Sequence, residues 1–349
     1  MTTKELLATY AEGAGLSPLP RPFPRKGSLK ERLAQAGYLM APMAGVSNSA
    51  YRLIARCGGA GLAYTEMVSV AGLHFNSQKT WDLVLPDEAE PDIAVQLFGS
   101  KPEQFREAAA AVSEHLGNRL VLIDINMACP APKVTRKGEG SALMENPELA
   151  QELVRACREE TDAPVTAKIR KGFAKGEETA PEFARALEQA GVSAIAAHGR
   201  TAHQLYRGQA SWEAIKHVVE AISVPVIGSG DVMSGETART MREQTGVTAV
   251  MVARGSYGDP WIFHDAQTGN NRTPSVEERL NAFALQLRLL QATGAHLARA
   301  RSLAGWYIKG FPHAGAWRER AMHCESLDDY LDYIDQLKAS YGAYGEEVD

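Results

Sequence analysis

The stretch NPELAQELVRACREETDAPVTAKIR (146–170) contains one full cycle of the pattern that decides the fold. Asn146 is a good helix cap, Pro147 suits the first helical position, and Leu149, Leu153 and Cys157 recur on one helical face. The period then changes to a short β-favouring run, PVTAKIR (164–170). Outward in both directions the same alternation repeats. The other candidate strands are YLMAP (38–42), GLAYTEM (61–67), DIAVQLF (92–98), LVLIDIN (120–126), VSAIAAH (192–198), VPVIGSG (224–230) and VTAVMVA (247–253). A further helical pattern runs from Glu103 to His115. Strands that are apolar on both faces, with no early GxGxxG, fit a closed parallel barrel better than an open doubly wound sheet. The expected fold is therefore α/β, a (β/α)8 TIM barrel followed by a small C-terminal helical domain.

The boundaries follow from composition. Residues 1–37, with SPLPRPFPRKG, read as an N-terminal extension or covering arm; 38–267 form the barrel; after the polar linker TGNNRTPS, 275–343 form the helical domain. Two capping-box patterns open its helices, Ser275 with Glu278 and Ser326 with Asp329. Val68 to Pro91 reads as a loop or lid over the barrel mouth.

The 349 residues are 45% hydrophobic and 23% charged, an ordinary soluble composition. The N-terminus lacks the apolar core of a signal peptide, and no apolar run is long enough to span a membrane. A cytoplasmic, monomeric protein is the expectation. The four cysteines are scattered, so neither disulfides nor a structural metal is expected. A net charge of −5 argues against a generic polyanion binder, so an RNA partner would have to meet a local basic patch.

In such a barrel, the residues at the C-terminal ends of the strands build the site. Here they include Pro42, Met43 and Ala44, Glu66, Gln96, Asn126 with Cys129, Lys168 with Arg170, His198 with Arg200, and the two glycine turns GSGD and ARGSYG. Glycine turns after strands seven and eight suit a phosphate at a helix N-terminus. Lys168 within PVTAKI either faces an electron-rich ligand or pairs with a neighbouring carboxylate, and His198 is either structural or part of the site. Cys57, Cys157 and Cys324 read as packing. Cys129 stands apart, since Pro130 fixes the turn and Lys133, Arg136 and Lys137 follow. Spacing alone leaves a functional thiol and a small buried side chain both open.

The chain resembles the tRNA-dihydrouridine synthase family, in particular its bacterial B-like subgroup. The carrying motifs are MAPMAGVSNSAYR (40–52), TEMVS (65–69), QLFGS (96–100), DINMACPAPKVTRKGEGSALM (124–144), KIRKGF (168–173), HGRTAHQLYRG (198–208), PVIGSGDV (225–232) and MVARGSYGDPWIF (251–263). Related FMN barrels share the layout but not the CPxxKVxxKGxGxAL block. The resemblance implies an enzyme that uses FMN and NADPH to reduce the 5,6 double bond of specific tRNA uridines to dihydrouridine. It implies Cys129 as the catalytic acid. Pro42, Met43, Ala44, Gln96, Lys168 and His198 would contact the flavin, and Ser229, Gly230, Asp231, Ala253 and Arg254 would hold its phosphate. Lys133, Arg136, Lys137, Arg170, Lys171 and Arg207 would grip RNA phosphates around the opening, with the helical domain extending that surface. The motifs depart from the common family pattern at Ala128, Ser229 and Ala253; each residue is small, and the last two contacts are expected through backbone. Two other readings remain open from sequence: an FMN-barrel oxidoreductase of a small pyrimidine-like substrate, and a non-catalytic RNA-binding module.

Overall fold

The computed structural model describes residues 1–344. Eight parallel strands, β1 Tyr38–Met40, β2 Tyr64–Ser69, β3 Ile93–Phe98, β4 Leu120–Met127, β5 Val165–Arg170, β6 Ala194–His198, β7 Val226–Ser229 and β8 Ala249–Val252, pair in the order β1-β8-β7-β6-β5-β4-β3-β2. A parallel bridge from Met40 to Ala63, with Met40 N–H donating to the Leu62 carbonyl at 2.8 Å, joins β1 to the residues just before β2. The sheet therefore closes on itself, and the expected barrel holds.

Local chemistry explains the elements. The Asn146 side chain accepts from Leu149 N–H at 3.1 Å and Pro147 opens the helix Pro147–Arg158, whose Leu153 and Cys157 are fully buried against the barrel. Helices Pro102–Leu116, Pro147–Arg158, Ala180–Ala190, Trp212–Ala221, Gly235–Thr245 and Ile262–Thr268 follow one another around the outside, each against the next. Both expected capping boxes form: Ser275 with Glu278 opens Val276–Ala292, and Ser326 with Asp329 opens Leu327–Tyr344.

The segment read as a lid takes a different form. Residues 68–91 complete β2 and then make two short helices, Val70–His74 and Gln78–Val84, which bury Val70, Leu73 and Val84. Its far end is tied by a fully buried bidentate pair, Arg52 Nε and Nη2 to Glu90, both at 2.7 Å. None of these residues lines the barrel mouth cavity. Buried apolar side chains and a buried ion pair hold the segment on the barrel's flank.

Two apolar cores result. One fills the barrel and the layer under its helices; the second joins the C-terminal helices, the barrel helix Ser49–Cys57 and the N-terminal helix Thr3–Tyr10. Among the described residues no helix is long and apolar enough to cross a membrane.

Candidate active site

Strand register assembles the site before any loop contributes. Gln96 lies opposite Asp124, Asp124 opposite Thr166, Asn126 opposite Lys168, Arg170 opposite His198, and His198 opposite Ser229. These strand ends surround a cavity of about 450 Å³ at the C-terminal mouth of the barrel. The residues expected to hold the cofactor and carry the chemistry line it, from Pro42, Met43 and Ala44 through Gln96, Cys129, Lys168 and His198 to Ser229, Gly230, Asp231, Ala253 and Arg254. Glu66 and Arg200 do not: Glu66 accepts from Gly45 N–H and pairs with Arg299, and Arg200 pairs with Asp231.

The Cys129 loop is held from both sides. Asn126 Oδ1 accepts the N–H groups of Ala128 and Cys129 at 3.2 and 2.9 Å, and Ser141 N–H donates to the Cys129 carbonyl at 3.0 Å. Gly140, at φ +61°, closes against it; a Cβ there would lie 2.7 Å from the Cys129 carbonyl oxygen and 3.1 Å from its Cβ. The thiol is half-buried and faces the cavity.

Lys168 meets no acceptor among the described residues, although its stem is deep in the strand. Burial, with repulsion from Arg170, lowers its ammonium to about 8 against the pull of Asp124 and Cys129. His198 is shifted well below its ordinary value, first by burial and then by Lys168, Arg170, Arg200 and Arg254. At neutral pH it is an uncharged imidazole. Its Nδ1 is 3.5 Å from Ser229 Oγ, and its Nε2 is buried without a partner. A free ammonium beside an orphaned imidazole nitrogen is a donor set waiting for a polar, electron-rich ring.

At the far end, β7 and β8 end in turns whose residues Ser229, Gly230, Asp231, Ala253 and Arg254 line the cavity. Gly230 at φ +124° and Asp231 at φ +56° bend the chain. A Cβ at Gly230 would come within 2.7 Å of the Ala210 Cβ. The Asp231 carboxylate accepts from Arg200 Nη2 at 2.8 Å and from Ala210 N–H at 2.8 Å, and pairs with Arg254 at 3.3 Å. Burial pushes this carboxylate up, but the Ala210 N–H and the arginines outweigh it and hold it below its usual range. Its side chain thus braces the turn, leaving backbone N–H groups and the half-exposed Arg254 for an anion. The fit to a flavin mononucleotide is good in chemistry: donors for the ring at one end, an anion cradle at the other.

One sequence-based assignment fails. Arg170 does not reach out to RNA: it is buried, donating from Nε to the Ala128 carbonyl at 2.7 Å and from Nη1 to Thr201 and Leu205 carbonyls at 2.8 and 3.0 Å. Burial lowers it to about 10. It ties the loop beside Cys129 to the loop after β6. Lys133, Arg136, Lys137 and Arg207 are exposed and Lys171 is half-buried.

Other residues were missed. Asp124 and Thr166 lie under the cavity floor and Tyr206, Met233 and Tyr257 on its rim. Asp124 was findable: with Asn126 two residues on, it gives an otherwise apolar strand two polar side chains on one face.

A family profile described as "Dihydrouridine synthase (Dus)" matches residues 39–341. The chain belongs to the dihydrouridine synthase family. It is 38% identical over 308 residues to a probable tRNA-dihydrouridine synthase 1 of Synechocystis, covering 85% of each chain. It is 37% identical over 309 residues to tRNA-dihydrouridine synthase B of Pseudomonas aeruginosa, covering 86% of this chain and 92% of that one. The corresponding enzyme of Vibrio parahaemolyticus is 34% identical over 311 residues, covering 85% and 96%. The motif-based resemblance was correct. In this dihydrouridine synthase the block around Cys129 faces the cavity. In this member the loop carrying that block is anchored by Asn126, Ser141 and Arg170.

Proposed function

We propose that this dihydrouridine synthase reduces the 5,6 double bond of uridines in tRNA, with FMN as cofactor and NADPH as reductant, and that it acts as a cytoplasmic monomer. When bound, the flavin supplies the hydride for C6 of the uracil ring. The chain's own residues do the rest. Cys129 donates the thiol proton to C5, so it must work as an acid rather than a nucleophile. Lys168 and the neutral His198 bind the ring edge, with Gln96 beside them. Pro42, Met43 and Ala44 pack against the ring, and Ser229, Gly230, Asp231, Ala253 and Arg254 cradle the phosphate through backbone N–H groups and one guanidinium.

The observation that carries this reading is convergence: the half-buried Cys129 thiol shares one cavity with the unpartnered Lys168 ammonium and the orphaned His198 Nε2. RNA must deliver its uridine unstacked into that cavity. Lys133, Arg136, Lys137, Lys171 and Arg207 would hold phosphates around the opening, and the helical region 275–343 would extend the RNA-binding surface. The rim carries Tyr206 at 63% and Met233 at 51% exposure, apolar surface suited to a base.

The test separates flavin chemistry from proton delivery. Cys129→Ala retains flavin and is still reduced by NADPH, but loses dihydrouridine formation by about 10²-fold or more, as removal of a general acid requires. Nucleoside analysis of tRNA product from that variant at wild-type yield would remove the acid role. Turnover of free uracil comparable with that of tRNA would shift the assignment to a small-molecule reductase.

A further inference from the structure

The polar interior under the cavity has a direction. Asp124 is 1% exposed, Gln96 0% and Asn126 5%. The Ala128 and Cys129 N–H groups donate to Asn126 Oδ1 at 3.2 and 2.9 Å. Asn126 Nδ2 donates to Gln96 Oε1 at 2.7 Å, and Gln96 Nε2 donates to Asp124 Oδ2 at 2.7 Å. Thr166 Oγ1 donates to the other Asp124 oxygen at 2.6 Å. Every link runs toward Asp124.

Two of the links are primary amides, whose ends are nearly equal in size, so packing alone does not choose between flipped orientations. The groups at the two ends of the chain do choose. An ionised carboxylate only accepts, and a backbone N–H only donates. Flipping Gln96 would set Oε1 against the Asp124 carboxylate; flipping Asn126 would set Nδ2 against two backbone N–H groups. Both ends demand the same direction. Nor does the carboxylate serve an ion pair, for none forms at Asp124 among the described residues, and an apolar side chain there would avoid the cost of burying a charge.

We propose that Asp124 is a positioning residue for the reaction: an acceptor-only anchor that fixes the Gln96 and Asn126 amides and, through them, the backbone that carries Cys129. Its effect on turnover rests on the proton-donor reading of Cys129; its effect on the Cys129 loop does not.

The experiment uses the full-length flavoprotein and three variants: Asp124→Asn, Gln96→Glu, and the two combined. Two quantities are measured: the rate of Cys129 alkylation by iodoacetamide, followed on its own peptide by mass spectrometry, and single-turnover dihydrouridine formation in tRNA. In Asp124→Asn the new side chain can offer either end to Gln96, because the Thr166 hydroxyl can donate or accept. Alkylation then changes by about fivefold or more, the scale of one lost buried hydrogen bond. Turnover falls on the order of tenfold or more, the scale of a misplaced reacting group. Gln96→Glu sets two carboxylates face to face and disturbs the same loop. In the combined variant the amide at position 124 donates to the carboxylate at position 96, which accepts from Asn126, so the second link regains its direction. Alkylation and turnover then move back toward wild type, a rescue that a merely space-filling role does not produce.

Wild-type alkylation and turnover in Asp124→Asn would overturn the proposal, as would a combined variant no better than the worse single one. If alkylation follows the expected pattern while Cys129→Ala keeps its turnover, the anchor stands and the proton-donor reading falls.

Discussion

Burial sets the protonation of this cavity before any ligand enters it. Asp124 is raised by burial from 3.8 to about 6, against its hydrogen bonds from Gln96 and Thr166 and the field of Lys168. In this window the folded chain holds a proton that the unfolded chain has released, so the Asp124 contribution to stability falls as pH rises from about 4 to about 6. Urea unfolding of Asp124→Asn at pH 4, 5 and 6 is expected to show a less negative slope than wild type over that span; an identical slope would contradict the buried, ionising carboxylate. Lys168 works at the other end of the scale, lowered from 10.5 to about 8, so its contribution rises with pH between those values. Lys168→Ala is expected to weaken flavin retention by about tenfold, the scale of one lost charged hydrogen bond, read as free flavin after gel filtration. Residues of this kind were legible in sequence only where a polar side chain interrupts or ends an apolar strand. Cys129, Lys168 and His198 satisfied that test. Arg170 satisfied it equally and was misassigned, because its partners are carbonyls on the loops after β4 and β6, and sequence spacing does not say which loops meet.

Strands and caps follow from local rules, and they were legible for that reason. Short β-favouring runs, apolar on both faces, mark β1 to β8, and short-range hydrogen bonds at Asn146, Ser275 and Ser326 open the helices that the sequence marks. The segment 68–91 was not legible, since its two helices of five and seven residues are too short to show a period, and what holds the segment is the burial of Val70, Leu73 and Val84 and the pairing of Glu90 with the distant Arg52. The turn after β7 makes a sharper case. Gly230 needs both its φ of +124° and the absence of a side chain, since Ala210 lies within 2.7 Å of where one would begin. Gly230→Ala is expected to cost about 1–3 kcal/mol through strain and overlap. It should also impair flavin binding more than an equal destabilisation elsewhere, because the strained backbone is the proposed anion cradle. Isothermal titration with FMN, set beside a core variant matched in unfolding free energy, separates the two effects.

The molecule is joined across its length by the segment that reads least like structure. Residues 1–37 were expected as an extension or a covering arm, and Leu6, Leu7, Ala11, Ala14 and Leu16 bury in the core shared by the barrel helix Ser49–Cys57 and the C-terminal helices. Trp261 Nε1 donates to the Ala14 and Gly15 carbonyls at 3.0 and 3.1 Å, Asn281 Nδ2 donates to the Gly13 carbonyl at 2.7 Å, and Arg272 Nη1 donates to Gly15 at 3.1 Å. The helix Ala300–Tyr307 adds a second tie, for Trp306 stacks on the cavity-lining Tyr257 with centroids 4.0 Å apart and an interplanar angle of 13°. The core of the helical region, distinct from that of the barrel, is completed by the barrel residues Ala50, Leu53, Ile54, Cys57 and Trp261, so it is not whole without the barrel. It follows that barrel and helices unfold together. Leu7→Ala, which empties part of that common core, is expected to lower stability by about 2–5 kcal/mol in one cooperative transition. Calorimetry checks both halves of the claim: a second transition, with the flavin-bearing barrel melting unchanged, would show that the arm belongs to the helices alone.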